Sequence, residues 1–245
     1  MLRWMRGVIG VIIMTMLTGN TAGCGAIGPE ARMEEAQEAL GAKYGGEFVV
    51  TEYLGQESFE KYYTVTAYAA EHPELLFEAS VNTEGENAGK YVSDTYVSRR
   101  VCAKLAEAVS VNLSGLKGIY AVYAEELNPY ARGTDPEISV QDYLAGETGV
   151  SFTIYLNYVP GETTPEEVGR EVAHFSEGTG IDRGKLALFI MDENTLGEAG
   201  EYRETHAVLS DGYQQIVDAS YAGTVTFRDG NVDSSEVEGL LKGRF

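Results

Sequence analysis

Three β-rich runs follow one another between two helical stripes, and that order limits the fold more than any single motif. The first stripe places Met33, Ala36, Leu40 and Tyr44 on one side of a helix that Pro29-Glu30 opens and Gly45-Gly46 closes. Residues 48–54 then alternate loosely, residues 62–70 (YYTVTAYAA) are rich in β-branched and aromatic side chains, and residues 75–81 follow the His72-Pro73 turn. A second long stripe, capped at Ser93 or Asp94 and reaching Leu113, turns Val97, Val101, Leu105 and Ala108 inward.

Beyond Ser114-Gly115 the two periodicities mix. Residues 119–123 and 150–158 (VSFTIYLNY) read as strands, with a Pro/Gly-containing loop over 128–137 and a short helix over 139–144 between them. Thr164-Pro165-Glu166-Glu167 is a helix start: Thr164 caps, Pro165 fits the first position and Glu167 completes a capping box. Val168, Val172 and Phe175 form the buried stripe of that helix, which ends at Gly178 or Gly180. Residues 186–191 are a wholly apolar, central strand; the pattern weakens from Glu201, then gives a strand over 224–227 and a closing helix over 234–241. Runs of strands with separate helices predict an α+β fold, mostly antiparallel sheets packed with several amphipathic helices. Two lobes are expected, 30–115 and 116–245, with no internal repeat.

The leader carries a different message. Arg3 and Arg6 precede an apolar run over 8–17, and Thr18-Gly19-Asn20-Thr21-Ala22-Gly23 supplies small residues before Cys24. These are the parts of a secretory signal, and the apolar run falls short of the roughly 20 residues a spanning helix needs. Thr21-Ala22-Gly23-Cys24 resembles the lipobox of bacterial lipoproteins, a resemblance confined to the leader. It implies cleavage after Gly23 of a signal peptide over 1–23, and diacylglycerol (palmitate-type chains) thioether-linked to Cys24. Residues 24–29 would then be a short tether holding the domain close to the extracytoplasmic face of the cell membrane.

Charge narrows the partners. The formal net charge is −20, and the leader contributes only Arg3 and Arg6, so the mature chain sets 16 basic against 38 acidic residues. Such a surface repels nucleic acid and anionic headgroups. The expected partners are the membrane, through covalent lipid, and a protein or glycan ligand. In type the chain is similar to lipoproteins of the Gram-positive cell envelope with an outward-facing binding or scaffolding domain. A second reading makes it an envelope hydrolase acting on glycan or peptide. In a third, Cys24 pairs with Cys102 in a soluble secreted factor; otherwise Cys102, beside Val101 and Leu105, is a buried inert thiol.

No pattern of catalytic residues emerges. His72, His174 and His206 lack metal-ligand spacing, and HExxH, CxxC and GxSxG are all missing, so no catalytic residue, metal or cofactor is assigned. Paired carboxylates such as Glu125-Glu126, Glu166-Glu167 and Asp192-Glu193 are expected by chance among 38 acidic residues. Residues 229–236 (DGNVDSSE) resemble the second half of an EF-hand-like or dockerin-type calcium loop. Val225 and Phe227 stand where that loop needs oxygen donors, and calcium takes about 6–8 of them. An Asp-Gly turn and a capped helix explain the same residues. The 16 tyrosines fall mostly on strands, where they serve cross-strand packing or a sugar- or peptide-binding surface.

Overall fold

The computed structural model describes residues 27–56, 59–90, 92–115, 119–126, 135–146, 152–159, 161, 163–174, 179–181, 183–205, 220–229 and 231–243. The leader, Phe175, Gly178 and His206 lie outside them. Helix α1 (Pro29–Tyr44) has Pro29 in its first turn and ends where Gly45 adopts a left-handed φ of 77°, its N–H donating to the Gly41 carbonyl at 2.8 Å. Strands β1 (Phe48–Gly55), β2 (Tyr62–Ala69), β3 (Phe77–Asn82) and β4 (Val92–Asp94) form an antiparallel meander in that order. Alternation along β2 and β3 turns Tyr63, Val65, Ala67, Phe77, Ala79 and Val81 to one face, all fully buried. Ala36, Ala39 and Leu40 of α1 lie in the same core; the two alanines leave room for the helix backbone to approach the sheet.

Helix α2 (Tyr96–Asn112) starts later than its sequence cap suggests, because residues 92–94 pair with β3 before the helix begins. Asp94 nevertheless helps open it, accepting from the Tyr96 N–H at 3.0 Å. The same carboxylate receives Lys43 Nζ at 2.7 Å and the Tyr44 hydroxyl at 2.9 Å, tying the end of α1 to the start of α2. Burial and the Asp94 charge both push the Tyr44 hydroxyl pKa up.

The second sheet runs β5 (Ile119–Glu126), β6 (Phe152–Tyr158), β7 (Arg183–Ile190), β8 (Tyr221–Arg228). Its one parallel pairing is β6–β7, and α4 (Pro165–Val172) lies in the connection between them; the other five pairings of the two sheets are antiparallel. The fold is α+β. The Thr164 capping box is present, the Glu167 N–H donating to Thr164 Oγ1 at 3.3 Å and the Thr164 N–H to Glu167 Oε2 at 2.8 Å. Beside α4 packs α6 (Ser234–Lys242); Gly169 makes this close approach possible, since a Cβ there would stand 2.6 Å from the Ser234 carbonyl oxygen.

One face of the second sheet carries the larger core, with Phe152, Ile154, Leu156, Leu188, Val225 and Phe227 fully buried. The α2 stripe Val97, Val101, Leu105 and Val109 belongs to this core, whereas its first residue, Tyr96, packs with Phe48 and Phe77 in the first. Helix α2 therefore precedes the expected boundary at 115 yet joins the two cores. The short α3 (Val140–Gly146) adds buried Tyr143. On the opposite face α5 (Glu193–Thr205) sets Ala199 against Ala187 and Phe189, so β7 is central and covered on both sides over that half of its length.

Candidate functional site

The first sheet buries one face and leaves the other polar. Register places Thr64 opposite Ser80 and Ser80 opposite Ser93, while Tyr62 faces Asn82 and Thr66 faces Glu78. Because odd-numbered residues of β2 and β3 point into the core, their even-numbered ones share the outer face with Ser93, the β4 partner of Ser80. There all of them but the buried Thr66, together with Glu60, line an open groove of about 570 Å³ bounded by Glu60, Tyr62, Thr64, Glu78, Ser80, Asn82 and Ser93. That size suits a ligand of a few sugar or amino-acid units, since small-molecule sites span about 300–1,000 Å³.

The groove is chemically uniform. Hydroxyls from Tyr62, Thr64, Ser80 and Ser93, the Asn82 amide and the Glu60 and Glu78 carboxylates line it, and none of its lining residues is a cation, histidine or cysteine. Thr64 Oγ1 and Ser80 Oγ lie 3.1 Å apart, and the Tyr62 hydroxyl donates to Glu60 Oε1 at 2.6 Å. Gln56 Nε2 donates to the Glu60 carbonyl at 2.8 Å at one end of the groove. Such a surface offers both donors and acceptors, with acceptors in excess because of the two carboxylates, but its lining residues contain no paired nucleophile and base.

A second polar group is sealed inside the protein. Glu126, at the end of β5, accepts from Ser98 Oγ of α2 at 2.6 Å and from the Tyr143 hydroxyl of α3 at 2.7 Å. Its role is to join α2, α3 and β5, and burial closes it to any ligand of size. Cys102, one turn along α2 from Ser98, is a free, buried thiol whose pKa desolvation pushes up to about 12.

Cys24 and Gly23, the site residues the sequence singles out, lie outside the described residues. His72 sits 3.2 Å from Glu74 in the β2–β3 turn, and His174 is exposed just after α4. In the half-loop that resembles a calcium site, Asp229 takes a left-handed φ of 54° and Asp233 caps α6, accepting from the Ser235 N–H at 2.9 Å. That carboxylate is spent on the helix, which holds its pKa below the usual range. Among the described residues no cluster of three metal-ligating side chains occurs. In the sequence Tyr62 is one of 16 tyrosines, and its groove partners belong to no motif. The signal was there in the shared parity of YYTVT and EASVN, but only the register joins the two strands.

No protein-family model matches the chain, and no curated protein does either. Among solved structures it is similar to a DUF5037 family protein from Ruminococcus gnavus, with a TM-score of 0.64 and 14% identity over 86% of this chain and 99% of that one. At that identity the likeness bears on the fold alone.

Proposed function

We propose that the chain is an anchored binding protein of the bacterial cell envelope. Cys24, lipidated after cleavage at Gly23, holds it on the extracytoplasmic face of the membrane, and the outer face of the first sheet binds a neutral glycan. The observation that carries the ligand assignment is the groove lining: hydroxyl, amide and carboxylate groups beside an exposed tyrosine ring, with no cation among them. Neutral sugars present dense hydroxyls that need both donors and acceptors, and an aromatic ring with a polar tip suits their mixed faces. The buried free thiol at Cys102 favours the anchor over the disulfide reading, because pairing it would require opening the α2–β5 packing.

Two experiments separate the parts. Cys24→Ala should release the protein to the medium or leave it unprocessed; persistence at the membrane at the normal processed mass would sink the anchor. For the groove, the purified mature protein is titrated with a panel of neutral oligosaccharides, and Tyr62→Ala combined with Ser80→Ala should weaken the best ligand at least about tenfold, as two lost hydrogen bonds near 1 kcal/mol each imply. Binding untouched by that pair, or binding only to cationic peptides and lost with added salt, would reject the glycan. The hydrolase reading rests on two carboxylates, Glu60 and Glu78, lining one groove, and release of shorter products from the same oligosaccharides would favour it.

A further inference from the structure

Large apolar side chains left in water are few among the described residues, and most of them gather at one end of the first sheet. Ile27 is 55% exposed, Leu54 46% and Phe59 98%; Tyr62, which begins the groove, and Val111 on α2 are the others. Leu54 lies near the end of β1, where the ladder to β2 skips it between Tyr53 and Gly55. Phe59 stands in the connection from β1 to β2, and Ile27 just precedes Pro29, the first residue of α1. Helix α1 and β1 run in opposite directions, with Tyr44 5.8 Å from Phe48 at one end, ring to ring. At the other end the Tyr63 hydroxyl donates to the Arg32 carbonyl at 2.9 Å, and the Arg32 N–H donates to the Gly28 carbonyl at 3.1 Å. The start of α1 and the β1–β2 hairpin therefore share one end of the molecule.

Structure alone gives this end no reason to be apolar. Single exposed apolar residues are ordinary, but turns are ordinarily built from Gly, Pro, Asn, Asp and Ser. A phenylalanine 98% exposed in a connection adds almost no packing to the fold. Charge does not explain the end either. The Thr83 N–H donates to the Lys61 carbonyl at 2.7 Å, which brings the β3–β4 connection to the same place. Glu30, Glu60, Glu84 and Glu86 there outnumber Lys61 and Lys90, and Lys61 already pairs with Glu84 at 3.2 Å. What this end offers a partner is apolar contact.

We propose that Phe59, Leu54 and Ile27 form a foot that rests in the headgroup layer of the bilayer, a reading that rests on the Cys24 anchor. The length of chain beyond α1 decides the occupant. Ile27 is three residues from Cys24, and an extended chain covers at most about 3.6 Å per residue, so Ile27 stays within about 11 Å of the lipid-linked residue. The headgroup region itself is about 5–8 Å thick on each side of the hydrocarbon core. The end that holds the start of α1 is therefore kept against the bilayer, and it is the end that carries Phe59 and Leu54. One ring and two aliphatic chains at that depth exchange water for lipid. Tether and foot together give the domain one orientation. Strand β2 then rises from the membrane, with the Tyr62–Asn82 end of the groove beside the headgroups and the Glu78 end away from them.

The one tryptophan of the chain, Trp4, lies in the leader, so Phe59→Trp in the chain from Cys24 to Phe245 is a sole reporter of this position. Cys24 is coupled to a maleimide-headgroup lipid in phosphatidylcholine vesicles, the buried Cys102 being slow to react. On coupling, the emission should shift to the blue, brominated phosphatidylcholine should quench it, and iodide in the water should lose most of its access. Leu54→Ser with Ile27→Ser in the same background should lower the inserted fraction about tenfold, the loss expected of two half-exposed aliphatic side chains. Val111→Trp reports from α2, whose first residue packs on Phe77 at the far end of the sheet; it should stay open to iodide and untouched by the brominated lipid. Phosphatidylglycerol in the vesicles should weaken insertion and salt should restore it, because acids predominate around the foot. Unchanged iodide access at Phe59→Trp, or equal lipid quenching of Val111→Trp, would overturn the proposal. So would insertion strengthened by phosphatidylglycerol, or a blue shift that grows with protein concentration without vesicles, which would assign the foot to a second copy. Because the coupling is chemical, each of these strikes the contact and leaves the anchor, which Cys24→Ala in cells decides separately.

Discussion

Phe77→Ala should destabilise the protein by about 4 kcal/mol, the middle of the range for a fully buried aromatic. Phe77 is fully buried on β3, with its ring 4.9 Å from Tyr96 and 6.0 Å from Phe48, centroid to centroid. Tyr44 completes the cluster, 5.0 Å from Tyr96 and 5.8 Å from Phe48. The truncation therefore opens a cavity where β1, β3, α1 and the first turn of α2 meet, and none can collapse into it without moving the others. Phe77→Leu, which keeps most of the volume, should cost under about 1.5 kcal/mol. Chemical denaturation of both variants checks this. A midpoint for Phe77→Ala that matches the parent would place the aromatic cluster outside the core. Because α2 continues into the second core, the loss should be felt by probes in both sheets.

The sequence made the scaffold legible wherever one periodicity dominated. YYTVTAYAA announced β2, the capping box at Thr164 announced α4, and the apolar run at 186–191 announced a covered central strand. Helix α5 went unseen for a physical reason. It contains Gly197 and Gly200, each costing about 1 kcal/mol relative to Ala, and only Ala199 of its described side chains is fully buried. Its one clear signal is Asp192, whose Oδ1 accepts from the Thr195 N–H at 2.8 Å and whose pKa that bond lowers. Read as half of an acidic pair, Asp192 looked like chance; read as a cap, it starts a helix.

The groove was harder to see than the elements that carry it. Tyr62, Thr64, Ser80 and Ser93 come from three strands. Periodicity tells which residues of a strand share a face. It does not tell which strand lies alongside, and a site on a sheet face is made by that second relation.

Cys102 should react with iodoacetamide about a thousandfold more slowly in the folded protein than in urea at pH 8. Desolvation by burial is the main cause, with Arg99 opposing it and Glu126 adding to it, and together they push the thiol up to about 12 from an ordinary value near 9. At pH 8 the thiolate fraction then falls from about one in ten to about one in ten thousand, and the thiolate is the nucleophile. The sign of the linked stability follows. The folded state holds the proton more tightly, so stability is unaffected below about pH 9 and declines from there toward pH 12. A Cys24→Ser chain makes Cys102 the sole thiol for the measurement. Labelling within tenfold of the unfolded rate would mean that α2 opens readily over β5. It would also remove the argument against a disulfide to Cys24, since a thiol that meets reagent so easily could meet another cysteine. Slow labelling leaves Cys102 as packing, and Cys24 with no protein partner for its sulfur.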